Sequence, residues 1–95
     1  MNQEQADREQ QQLNDAVYAK QLRDNPLMQS MMVYLKAGYV DKLTKVKKGK
    51  HYEAQLKDIH DSLQNLARIE GYMQKCIDDG KIVTEKQKNR LFSKQ

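Results

Sequence analysis

The chain has 95 residues, a net charge of +4, one Cys, one Pro, one Phe and no Trp, with 38% hydrophobic and 32% charged residues. That length leaves room for one small domain or one subunit of an oligomer. The composition is too apolar and too periodic for a wholly disordered chain, yet lean for a monomer that must bury its own core. A single cysteine, Cys76, excludes an intrachain disulfide framework and points to a reducing setting.

No apolar run approaches the roughly 20 residues needed to cross a bilayer. The Gln-rich, acidic start lacks the basic and apolar regions of a signal peptide. The expected location is therefore the cytoplasm, with no membrane partner. Charge is distributed in blocks: −2 over residues 1–25, +5 over 26–50, −3 over 51–80 and +4 over 81–95. Alternating blocks suit pairing between helices, whereas a nucleic-acid binder more often carries one dominant basic field.

Residues 1–12 are polar almost throughout, and half of them are Gln or Asn. They favour helix by propensity but have no stripe to bury before Leu13, which predicts a frayed or partner-ordered start. Ala16, Val17 and Leu22 add a weak apolar face that ends at Asp24-Asn25-Pro26. Asn25 as N-cap with Pro26 at the first helical position predicts a restart there. The second helix should run from Pro26 to about Val46. Met28, Met31, Met32, Leu35, Tyr39, Val40, Leu43 and Val46 fall on one broad face, and Met28, Met31 and Met32 read as core. Gly38 inside it suggests a close backbone approach or a kink. Gly49, after a lysine-rich run, is expected to close the helix in left-handed geometry.

The third helix, about Tyr52 to Asp79, carries the strongest pattern in the chain. Tyr52, Leu56, Ile59, Leu63, Leu66, Glu70, Met73 and Ile77 repeat with four-three spacing, the mark of a stripe held against another helix. Glu70 is its one charged member. Either it meets a Lys or Arg from another helix, or the helix turns so that Ile69 takes the inner place. Gly80 is expected as the C-terminal cap. Thr84 with Gln87 reads as a capping box for a short helix containing Leu91 and Phe92.

Chemistry-bearing arrangements are weak. His51 and His60 lie nine apart without companion ligands at metal-binding spacing. Cys76 has no adjacent base to position it as a nucleophile. Asp58/Asp61 and Asp78/Asp79 read as solvated helix faces, and Lys47-Lys48-Gly49-Lys50 lacks phosphate-loop spacing. No enzyme activity, metal, cofactor or small-molecule substrate is expected. Two basic clusters carry more weight: Lys42, Lys45, Lys47, Lys48 and Lys50 near the turn, and Lys86, Lys88, Arg90 and Lys94 in the tail. Either could hold phosphates or an acidic protein, and Tyr39 and Tyr52 flank the first as candidate stacking platforms.

The layout of residues 25–81 resembles a group of small helical proteins encoded near the head and packaging genes of tailed bacteriophages. The matching elements are Asn25-Pro26-Leu27 opening a helix, a polar turn, a long helix through Leu63, Leu66 and Met73, and a closing Asp79-Gly80-Lys81. Members often carry a Trp before the turn, which this chain lacks, and its basic turn is unusual for the group. The resemblance implies a virion or assembly component with no catalytic residues.

The expected fold is all-α. It comprises a polar N-terminal helical segment (1–25), a helical hairpin core (26–80) with a long heptad-patterned helix, and a basic tail (81–95) with a short helix. The expected function is a non-enzymatic interaction or assembly protein of a phage, acting in virion assembly or DNA packaging, with itself or another protein as partner. The alternatives are a nucleic-acid-binding packaging subunit and a small inhibitor that binds a host protein.

Overall fold

In the computed structural model, residues 2–93 are described and form three α-helices with no strand: α1 (Gln3–Asp24), α2 (Pro26–Lys45) and α3 (Tyr52–Ser93). The class is all-α. Lys94, counted above with the basic tail, lies outside the described residues. The contacts divide the chain into two compact units, one built from residues up to 24 with those from 71 onward, the other from residues 25–70. A boundary between 80 and 81 would fall inside α3.

In the first unit, α1 starts at Gln3 rather than fraying. Asn2 caps it, its Oδ1 accepting from the Gln5 amide at 2.7 Å. Glutamine ladders then stiffen the exposed side: Gln3 donates to Asp7, Gln10 to Asn14 and Gln11 to Asp15, at 2.8–3.0 Å. Such i,i+4 pairs support a helix that has few apolar residues. The buried side does exist before Leu13, but it is written in alanines and long polar side chains. Ala6, Gln12, Leu13 and Ala16 are half-buried, while Glu9 and Ala19 are buried. Methylene stems of Gln and Glu cover apolar surface without registering as hydrophobic.

The helix expected to stop at Gly80 continues to Ser93, so the short C-terminal helix is the end of α3. Gly80 is buried and takes no left-handed conformation. A Cβ built on it would collide with the Cβ of Ala16, and the Gln12 carbonyl oxygen stands 3.7 Å away. Its missing side chain therefore lets α1 approach α3 closely. Thr84 is likewise no cap, since its hydroxyl donates to the Gly80 carbonyl one turn back at 2.9 Å. Asp78 and Asp79 lie within the helix, away from its C-terminus, where Gln74 donates to Asp78 and Lys75 pairs with Asp79. Burial runs on through Met73, Ile77, Gly80 and Val83, the last being 3% exposed. Beyond Ile77 the steps are three and three rather than four and three, so the stripe turns around the helix as it approaches Arg90.

In the second unit, Asn25 is extended and its Oδ1 accepts from the amides of Leu27 and Met28 at 2.9 and 3.1 Å. Pro26 follows at the first turn, as the sequence predicts. α2 ends at Lys45 with an extended Val46, and Gly49 supplies no left-handed cap. Instead the Gly49 carbonyl accepts from the Tyr52 amide at 3.2 Å where α3 begins. Gly38 marks no close approach of another backbone, for nothing lies within 4 Å of a Cβ added there. Of the broad α2 face only Met32 is buried. Met28, Leu35, Tyr39 and Val46 are half-buried, while Met31, Val40 and Leu43 are exposed. Opposite them on α3, Ile59 and Leu66 are buried, and Tyr52, Leu56 and Leu63 are half-buried.

Glycine substitutions in α3 should separate helix propensity from close packing. Gly71→Ala adds a Cβ into open space and should stabilise the protein by about 0.5–1 kcal/mol. Gly80→Ala gains the same propensity but meets Ala16, and overpacking of this kind costs about 1–3 kcal/mol. Urea melts followed by circular dichroism should therefore shift in opposite directions for the two variants. Asn25→Ala should lower stability by about 1 kcal/mol through loss of its cap.

Candidate interaction site

The turn of the second unit gathers the first basic cluster. An open groove of about 390 Å³ has Tyr39, Lys42, Lys45 and Val46 of α2 on one side and Gln55, Asp58, Ile59 and Ser62 of α3 on the other. Two of its lysines already have neighbours. Lys42 Nζ lies 5.4 Å from the centre of the Tyr39 ring, and Lys45 pairs with Asp41 at 2.9 Å. Lys47, Lys48 and Lys50 are exposed in the turn at 46–51, and they are the members of this cluster best placed to meet an anion. Tyr52 is half-buried at the start of α3 rather than displayed beside them.

Glu70 resolves in favour of a partner from another helix. Its carboxylate meets Lys36 of α2 at 2.6 Å, with both side chains nearly half exposed, and Ile69 also stays 45% exposed. At that exposure the pair sets register more than it stabilises, since screened surface pairs contribute about 0–1 kcal/mol. The remaining seam members of each unit lie inward, as described above.

The tail cluster divides. Lys86 and Lys88 are exposed, whereas Arg90 is half-buried and engages Glu9 of α1. Its Nη2 donates to both carboxylate oxygens, the Oε2 contact measuring 2.9 Å. Glu9 is only 6% exposed, so this charge is held inside the unit by its partner. The hydrogen bond from Arg90 holds the Glu9 carboxyl below its ordinary value of 4.5, against the opposing effect of desolvation, and the charges of Arg90 and Lys86 add to the lowering. Arg90 in turn stays protonated by bonding to Glu9. No apolar pattern marks Glu9. The hint in the sequence is electrostatic: an acidic first block and a basic last block that can meet.

On another side of the first unit, Tyr18, Tyr72, Met73 and Cys76 line a hollow of about 220 Å³. Hydrogen bonding to Cys76 raises the Tyr72 hydroxyl above its usual pKa, and Asp15 pushes it the same way. Among the described residues, no three His, Cys, Asp or Glu side chains are grouped to hold a metal ion, and no helix is long and apolar enough to cross a membrane. Comparison with protein families, curated proteins and solved structures finds no match.

The Glu9–Arg90 pair predicts an acid-sensitive component of stability. A depressed carboxyl pKa contributes stability above the unfolded value near 4.5, and that contribution is lost as pH falls through the lower folded value. Thermal melts between pH 7 and 3 should show a steeper acid loss for the native chain than for Glu9→Gln, with the difference gone at the acid end. Arg90→Ala should be the more damaging change at pH 7, because it leaves a buried carboxylate without its partner.

Proposed function

We propose that this chain is a non-enzymatic helical interaction protein that works by assembling with other helices. In this reading α2 and the first part of α3 form a helical hairpin, and the four-three stripe of α3 is its heptad seam. The observation that supports it most is the amount of apolar side chain left in contact with solvent. Leu27, Val33, Tyr34, Tyr72, Leu91 and Phe92 are each 65% or more exposed, and among the described residues no side chain falls below 2% exposure. Exposed apolar surface of this extent on a small protein marks interaction sites. A phage virion-assembly or packaging role rests on the resemblance of residues 25–81 alone.

A nucleic-acid-binding reading draws on a separate observation, the three exposed lysines 47, 48 and 50 on one turn. It predicts binding to a short DNA or RNA that weakens steeply with salt and falls severalfold in Lys47→Gln/Lys48→Gln/Lys50→Gln. Unchanged binding in that variant removes the turn from consideration.

The assembly reading predicts a defined complex, either of the chain with itself or with the products of genes flanking its own. Light scattering on the purified chain, alone and mixed with those products, checks it. A monomer that forms no complex with any of them refutes the assembly role.

A further inference from the structure

Glu9 and Asp15 are the carboxylates of α1 that are drawn out of solvent, and the first unit treats them differently. Glu9 meets the Arg90 guanidinium. Asp15 is half-buried and makes no ion pair among the described residues. Its side chain accepts from Gln11 one turn back at 2.8 Å. A carboxylate withdrawn from water without a cation costs stability, so a cation bound beside it would offset that cost.

Asp15 lines the hollow of about 220 Å³ between α1 and α3. Tyr18 borders it from α1 and Tyr72 from α3, and these side chains are 66% and 65% exposed. Ala19, Met73 and Cys76 make up its apolar part, with Ala19 and Met73 buried. Among the described residues that line it, none is a Lys or Arg. Lys75, next to Cys76 in sequence, is held by Asp79 at 2.8 Å.

The hollow therefore combines two tyrosine rings from different helices, one unpaired carboxylate and an apolar floor. Each component favours the same ligand chemistry. A ring face attracts a cation that comes within about 6 Å of its centre. In the second unit Tyr39 already gives its ring to Lys42, whereas no cation of the chain occupies Tyr18 or Tyr72 among the described residues. The charge of Asp15 reaches Tyr72 as well. After the hydrogen bond and charge of Cys76, it is the next cause that raises the Tyr72 hydroxyl pKa. The apolar floor favours a cation clad in methyl groups over a strongly hydrated ammonium or metal ion. A volume of about 220 Å³ falls below the roughly 300–1,000 Å³ of drug-sized ligand sites, which suits a single head group.

We propose that this hollow binds the methylated ammonium group of an organic cation. Tyr18 and Tyr72 contact its N-methyl groups, and Asp15 balances its charge. The group can arrive on a free small molecule such as choline or on a trimethylated lysine side chain, since both present the same surface. This site is separate from the assembly reading, and either stands without the other.

NMR titration of the full chain tests the site, read on the ring signals of Tyr18 and Tyr72 under reducing conditions that keep Cys76 a thiol. Choline chloride at constant ionic strength should shift both saturably, with a Kd on the order of 1 mM for so open a hollow. The tert-butyl analogue of choline, with carbon in place of nitrogen, has the same shape without the charge. It should bind at least about tenfold more weakly. Acetylated and amidated trimethyl-lysine is the second probe. Binding tighter than that of choline assigns the group to a protein side chain, and weaker binding assigns it to a small molecule.

Tyr18→Leu and Tyr72→Leu keep apolar bulk but remove a ring, and each should weaken choline binding about two- to fivefold. Asp15→Asn keeps an acceptor for Gln11 and removes the charge. It should weaken choline severalfold and leave the neutral analogue unchanged. Helix content by circular dichroism should hold in all three variants. No saturable shift below about 100 mM choline overturns the proposal. Equal binding of choline and its neutral analogue does so too, as does unchanged choline binding across the three variants.

Discussion

The close approach of Gly80 and Ala16 is the contact on which the first unit depends. A helix such as α1, whose inner side is largely alanine and polar stems, can bury useful surface against α3 only if the two backbones come near each other. Gly80 makes that possible at the centre of the contact, where any side chain would hold α1 away. Ala16 then meets Gly80 and Ala19 lines a hollow with Tyr72, Met73 and Cys76, and the stripe continues past Gly80 to Val83 and Arg90. The same glycine that is a liability for helix propensity is what the packing selects. Continuation of the helix follows from this, because packing outweighs a propensity penalty of about 1 kcal/mol.

The charged pairs fall into two kinds. Lys36–Glu70 and the i,i+4 pairs on α2 and α3 lie in solvent and act as weak guides to register. Glu9–Arg90 is different, since Glu9 is buried and would be costly without its guanidinium. It joins the first turns of α1 to the last turns of α3, residues 81 apart in sequence. An end of the chain that reads as soluble glutamine tract is thereby ordered by its own basic tail.

The second unit is organised from its caps and turn. Asn25 and Pro26 set where α2 begins, and the 46–51 turn reverses the charge pattern by placing lysines outward. Its core is thin, with Met32, Ile59 and Leu66 as its buried apolar residues. Much of the apolar surface of α2 stays in solvent, although its first ten residues carry no charge. That imbalance is the physical basis for reading the chain as one that works in contact with others.

Sequence alone determined what depends on local chemistry. The all-α class, the start of α2 at Pro26 under Asn25, its end near Lys45, and the inward places of Ile59, Leu66, Met73 and Ile77 were legible, because capping and periodicity act over one or two turns. The tertiary structure decided what depends on residues far apart. Gly80 looks like a stop until Ala16 is beside it. Thr84 looks like a cap until its hydroxyl has a helical carbonyl to bond. Glu9 looks solvated until Arg90 reaches it, and the α1 stripe is invisible while Gln and Glu stems are counted as polar. Gly38 shows the converse, since its surroundings are empty where its sequence context suggested a neighbour. In each case the residue type allows two structures, and only the other helix, brought there by the fold, selects one.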